Sequence, residues 1–147
     1  MKLVKLLGFM GAICAPLFAQ AEIWKDYEPS EAVSELRVLD VKANHMDDYL
    51  MNLERTWVRW MEVEKELGNV LSYDVWTSDR ADSPNVWLMT TYKNFAAMQG
   101  SEAQYDEVEA KLKALGGNDA EHDATLKAYE DIREHVDYAI IRRITYK

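Results

Sequence analysis

A chain of 147 residues with 48% hydrophobic content has room for one domain with its own core, and is short for two. Its formal net charge of −9 argues against nucleic acid and anionic lipid as partners, because an acidic surface repels phosphate. A single cysteine, Cys14, excludes an internal disulfide framework.

Residues 1–21 read as a secretory signal peptide. Lys2 and Lys5 make a basic start, Leu6 to Phe18 is an apolar run broken by Pro16, and Ala19-Gln20-Ala21 supplies a small-x-small cleavage site. The run falls short of the roughly 20 residues that span a bilayer. Cleavage after Ala21 would remove 21 of the 147 residues and leave 126. Loss of Lys2 and Lys5 takes the charge from −9 to −11, and loss of Cys14 removes the only thiol. The expectation is a periplasmic or secreted protein with no membrane anchor.

Residues 22–33 are polar, carry Pro29 and show no period, so they read as an exposed arm whose Trp24 and Tyr27 can dock onto the body or a second subunit. The domain proper is placed at residues 34–147. Leu36 to Val41 reads as a strand. A helix follows to about Leu67, with Asn44 as its N-cap, Asp47 and Asp48 in its positive first turn, and Gly68 as its stop. Met46, Leu50, Leu53, Trp57, Trp60 and Leu67 repeat at the helical period and form one apolar stripe.

Val70 to Thr77 reads as a second strand, with Trp76 on the side opposite Leu71, Tyr73 and Val75. The turn-rich stretch SDRADSPN joins it in a hairpin to a third strand, Val86 to Tyr92. Asn94 caps a short turn, Phe95 to Met98. Helices over Glu102 to Leu115 and Asp119 to His135 come next, and Tyr138 to Tyr146 closes the chain as a strand. The order β-α-β-β-α-α-β is a ferredoxin-like α+β fold, a four-stranded antiparallel sheet with helices on one face.

The third and last strands are apolar on both sides. Val86, Leu88 and Tyr92 oppose Trp87 and Met89, while Ile140 and Ile144 oppose Ala139 and Ile141. Helices cover one side only, so a second copy of the sheet is the expected cover for the other, giving a homodimer.

Four segments carry a resemblance: LRVLDVKANHMDDYL, LSYDVWTS, NVWLMTTYKN and YAIIRRITYK. Together they resemble the dimeric α/β-barrel superfamily that includes antibiotic-biosynthesis-monooxygenase-like proteins, over residues 34–147. The stretches KDYEPSE and VEKELG are also similar to small exported bacterial proteins of unknown function. The resemblance implies a pocket between sheet and helices in each subunit. Haem-degrading members use an Asn on the first strand, a Trp, and a His on the helix after the third strand. Here the first strand ELRVLDV has no Asn and NFAAMQGSEAQYDE has no His, so only Trp76 or Trp87 has a counterpart. What the resemblance leaves is cofactor-independent oxidation of a phenol or quinol, with no cofactor expected.

The candidate ligand wall is aromatic: Tyr49, Trp57, Trp60, Trp76, Trp87 and Tyr105. The competing reading is solid core, since aromatic side chains supply much of a small core's buried area. A void of about 300 Å³ or more beneath Trp57 and Trp60 separates the two readings. Glu64, on the apolar stripe, is either a general base raised by burial or a carboxylate near the helix end that reaches solvent or a basic partner. Asp40 with Arg142 or Arg143 reads as a cross-strand ion pair or a charge pair opening into the pocket. His45, His122 and His135 lack metal-ligand spacing, so no metal is expected. There is no phosphate loop, nucleophile elbow or Cys-His pair. The functional expectations are a binder of a small apolar or aromatic molecule, a cofactor-independent monooxygenase-type enzyme, or an interaction module without a ligand.

Overall fold

A computed structural model of the chain describes residues 20–79 and 84–147. The predicted signal peptide lies outside the described residues except for its last two positions, as does the middle of the predicted hairpin loop. Among the described residues, no helix is long and apolar enough to cross a membrane.

The domain is built on β2 (Val33–Val41), the longest central strand. It pairs antiparallel with β4 (Val86–Tyr92) on one side and β5 (Arg133–Ile141) on the other, and β3 (Ser72–Thr77) adds outside β4. The sheet order β3-β4-β2-β5 puts the first strand of the domain between its third and its fourth. That is the ferredoxin-like split βαβ topology expected from the sequence.

One long helical segment crosses from β2 to β3. It consists of α1 (Met46–Leu53), a single π-helical turn (Glu54–Val58) and α2 (Arg59–Glu66). Asp47 and Asp48 occupy the first turn, but Asn44 is not the cap. It takes a left-handed conformation, φ 68°, one residue ahead of His45, which stands at the cap position without a side-chain bond. Gly68, at φ 79°, ends the segment as expected, because only glycine takes that conformation without strain. Short α3 (Phe95–Met98) starts at Asn94, whose side chain accepts from the Ala97 amide at 2.9 Å. Ser101 caps α4 (Glu102–Ala114) in the same way, and α5 (Asp119–Ile132) follows.

The core lies between helices and sheet. Leu39, Val41, Val86 and Leu88 from the strands meet Tyr49, Leu53 and Tyr129 from the helices, all buried. Burial of such side chains contributes roughly 1.5–3 kcal/mol each and is the main stabilising term of the fold.

Several boundaries differ from the sequence reading, among them the start of β3 at Ser72, not Val70. The first strand begins at Val33, not Leu36, because Val33 and Ser34 pair with Tyr92 and Thr91. The last helix ends at Ile132 rather than His135. Nine-residue β2 needs a partner along its full length, so Arg133, Glu134 and His135 pair with Val41, Asp40 and Leu39, and a bulge at Val136 restores the register. The predicted closing strand breaks at Arg142 and Arg143 into β5 and β6 (Ile144–Tyr146).

The expected arm is only partly free. Ile23 and Trp24 are exposed, but β1 (Tyr27–Pro29) pairs antiparallel with β6 in a two-stranded ribbon. Lys147 ties its end to Glu28 at 3.0 Å.

Candidate functional site

Two of the six aromatic candidates wall a common space. Trp57, on the π-helical turn, and Trp60, on α2, line a cavity of about 280 Å³ between the helices and the helix-facing side of the sheet. Leu53, Met61, Leu88 and Leu126 supply its apolar surface, and Thr56 and Tyr129 its hydroxyls. The volume is slightly below the roughly 300 Å³ at which ligand sites begin. Thr56, Trp60, His122 and Leu126 also line an adjoining groove of about 650 Å³ between α2, α4 and α5. That groove is larger but carries mixed charges, including Arg55, Glu109 and Asp123, so the smaller aromatic cavity is the better-defined site.

The π-helical turn explains why both indoles are walls and not plugs. Buried positions along the segment run Tyr49, Leu53, Thr56, Met61 and Val63. The five-residue step from Thr56 to Met61 marks the extra residue of the π turn. The buried stripe passes through Thr56 and leaves Trp57 and Trp60 half-buried on its two flanks. Trp57 meets Tyr73 edge-on, with ring centroids 5.7 Å apart. Trp60 packs against Tyr105 at 5.4 Å. Each such pair adds about 0.5–1.5 kcal/mol beyond its area.

The other four candidates stand elsewhere. Tyr105 is exposed, stands outside the cavity but lines the adjoining groove of about 650 Å³ with Trp60, and donates to Glu109 at 2.9 Å. Tyr49 is fully buried beneath the site and does not line it. Trp76 and Trp87 are cross-strand neighbours on the outer face of the sheet, so the sheet itself separates them from the cavity. Strand alternation dictates this: Val75 and Leu88 face the helices, and the residues next to them must face away.

The polar candidates resolve differently from their sequence readings. Glu64 is half-buried, accepting from the Trp60 indole at 3.0 Å and from Asn69 at 2.7 Å. It anchors Trp60; no basic side chain pairs with it among the described residues. Asp40 stands across from Glu134, whereas Ile141 stands across from Ser34. The antiparallel register therefore puts Arg142 and Arg143 at the far end of β2 from Asp40, and no ion pair joins them. Arg142 instead donates to the Ser30 carbonyl, securing the ribbon.

Among the cavity residues not singled out for the pocket from the sequence, four carry guanidinium or imidazole groups: Arg37, His122, Arg133 and His135. The ending of α5 at Ile132 is what brings Arg133 and His135 to the helix-facing side of β5. Arg133 stacks over Tyr129 at 4.4 Å and donates to the Tyr49 hydroxyl at 3.2 Å. Burial pushes the pKa of Tyr49 up, and the Arg133 bond and charge partly oppose this. Burial, then the charges of Arg133 and Arg37, pull His135 below the ordinary histidine value. Among the described residues, no group of three or more His, Cys, Asp or Glu side chains is arranged to hold a metal.

No protein-family model matches the chain, and no curated protein matches it by sequence. Among solved structures, it is similar to SnoaB, a cofactor-independent oxygenase from Streptomyces nogalater, at 7% identity and TM-score 0.44, over 76% of this chain and 92% of that one. It is similar to a protein from Chloroflexus aurantiacus described as an antibiotic biosynthesis monooxygenase, at 10% identity and TM-score 0.43, with the same coverage of 76% and 92%. It is also similar to a dimeric ferredoxin-like protein of unknown function from Bacteroides fragilis, at 11% identity and TM-score 0.39, over 81% of this chain and 99% of that one.

Proposed function

We propose that this is an exported, homodimeric domain that binds a small apolar or aromatic molecule between its sheet and its helices. The observation that carries the reading is the cavity of about 280 Å³ walled by Trp57 and Trp60. The space is partly open to solvent and its indole walls are half-buried, so a small apolar molecule that enters it removes apolar surface from water. Its size suits a ligand of one or two rings. Export rests on the basic, apolar and small-residue pattern of residues 1–21. The homodimer rests on the outer sheet face, where Trp76 is 59% exposed beside Trp87.

The test is titration of the protein with naphthalene-type probes, followed by tryptophan fluorescence. A saturable change is expected. Leu126→Trp, which fills the cavity from α5, should weaken binding at least about tenfold while changing stability by about 1–3 kcal/mol. No fluorescence response to any probe, with no copurified small molecule by mass spectrometry, would remove the binding reading.

A further inference from the structure

We infer that the ligand is an anion, a small aromatic or apolar carboxylate whose ring lies between the indoles and whose acid group meets Arg133. This rests on the binding reading above and narrows it to a substrate class.

The lining is the first observation. The chain has 26 acidic against 17 basic residues, yet among the described residues no Asp or Glu lines this cavity. Two arginines and two histidines do: Arg37, Arg133, His122 and His135. A random sample of this acidic chain would place carboxylates there.

The second observation is Arg133 itself. The residue is half-buried, and it forms no ion pair among the described residues. What it has is the Tyr49 hydroxyl and the faces of Tyr129 and Tyr49. These fix its position without neutralising it. A guanidinium has five N–H donors in a planar fork suited to a carboxylate, and one bond to Tyr49 uses one of them. Taking a charge partly out of water without a counter-ion is costly, and a bound carboxylate removes that cost through charge-assisted bonds. Arg37 differs, since Glu35 holds it at 2.6 Å. Arg133 is therefore the anchor.

The chain's overall negative charge sharpens the point. At long range it repels anions, so selectivity for one depends on this cationic lining. Burial first, and then the charges of Arg133 and Arg37, lower the His135 pKa.

The test compares two probes of equal shape, 2-naphthoate and 2-naphthamide, on the unmodified protein by calorimetry and tryptophan fluorescence. Naphthoate should bind at least about tenfold more tightly, with an advantage that shrinks as salt rises. Arg133→Gln should abolish the preference while leaving naphthamide affinity within about twofold. If that variant does not fold, the comparison on the unmodified protein still decides. Equal affinity for both probes, or preference for the amide, overturns the anion inference and leaves the cavity reading standing. Binding of neither probe overturns both.

Discussion

At the scale of single residues, the cavity is held by hydrogen bonds among hydroxyls and carboxylates. Thr56 is buried on the π turn, donates to the Asn52 carbonyl at 2.9 Å and shares a hydrogen bond of 3.0 Å with the Tyr129 hydroxyl. Tyr129 and Tyr49 then hold Arg133 from below. On the neighbouring flank, Tyr92 reaches Glu35 at 3.4 Å. Burial first, and then the nearby charges of Glu35 and Glu64, push the Tyr92 pKa up to about 12. A phenol whose pKa is higher in the folded chain keeps its proton there while the unfolded chain releases it. Stability from this group is therefore complete below about pH 10 and is lost as pH rises towards 12. Urea unfolding between about pH 9 and 11.5 should show the native protein losing more stability than Tyr92→Phe; parallel pH profiles would mean that Tyr92 is not so shifted. Some of this was readable from the sequence and some was not. Trp57 and Trp60 could be chosen from their spacing, and the alternation of β3 and β4 already put Trp76 and Trp87 on the wrong side. Glu64 invited a catalytic reading because its partners, Trp60 and Asn69, come together only through the end of α2 and the turn after it.

At the scale of elements, the π turn decides what the cavity is. An α-helix with the apolar positions Met46, Leu50, Leu53, Trp57 and Trp60 would bury both indoles in one stripe, which is how the sequence reads. One extra residue within Glu54–Val58 moves the stripe onto Thr56 and Met61 instead. No sequence period announces such a turn, since it is set by packing against α5 and the sheet. A deletion pair tests it. Removing Arg55, exposed on the π turn, should restore a regular helix while α1 and α2 keep their buried faces. Folding should survive with a loss of about 1–3 kcal/mol, and naphthalene-probe binding should fall at least about tenfold. Removing Met51, exposed on regular α1, rotates everything after it by about 100° and should prevent folding. Circular dichroism and urea titration distinguish the two; equal damage from both deletions would show that the π turn absorbs no extra residue. The end of α5 was missed for a related reason. Tyr129, Ile132 and Val136 continue a helical period by coincidence, and only the unmet length of β2 converts Arg133 to His135 into strand.

For the whole molecule, the open question is what covers the second face of the sheet. The helices take the side bearing Leu39, Val86 and Leu88. On the other side Trp76 and Trp87 form one cross-strand row with Val38, and Asp74, Met89, Leu36 and Ala139 form the next. No helix or ribbon of the described chain covers Trp76, which is 59% exposed, or Ile141, which is 41% exposed. Bare apolar patches of this kind are characteristic of interfaces, and a stable one needs roughly 1,000 Å² or more in total. A second copy offers the same patch through a two-fold axis. Like charge opposes this, because each chain carries a formal −9. Burial of indoles outweighs that repulsion at ordinary ionic strength, where charges beyond about 8–10 Å are screened. The expected behaviour is a dimer at micromolar concentration that weakens at low salt, followed by sedimentation velocity. Trp76→Glu adds a carboxylate to the patch, on edge strand β3, on a side chain already facing water. It should cost the isolated subunit no more than about 0.5 kcal/mol, because exposed positions tolerate exchange. It should nevertheless give monomer, because each copy then brings an unpaired charge to the apolar interface. A native chain that sediments as monomer from about 1 to 100 μM, the range in which a moderate interface assembles, would show that the outer face stays in contact with water.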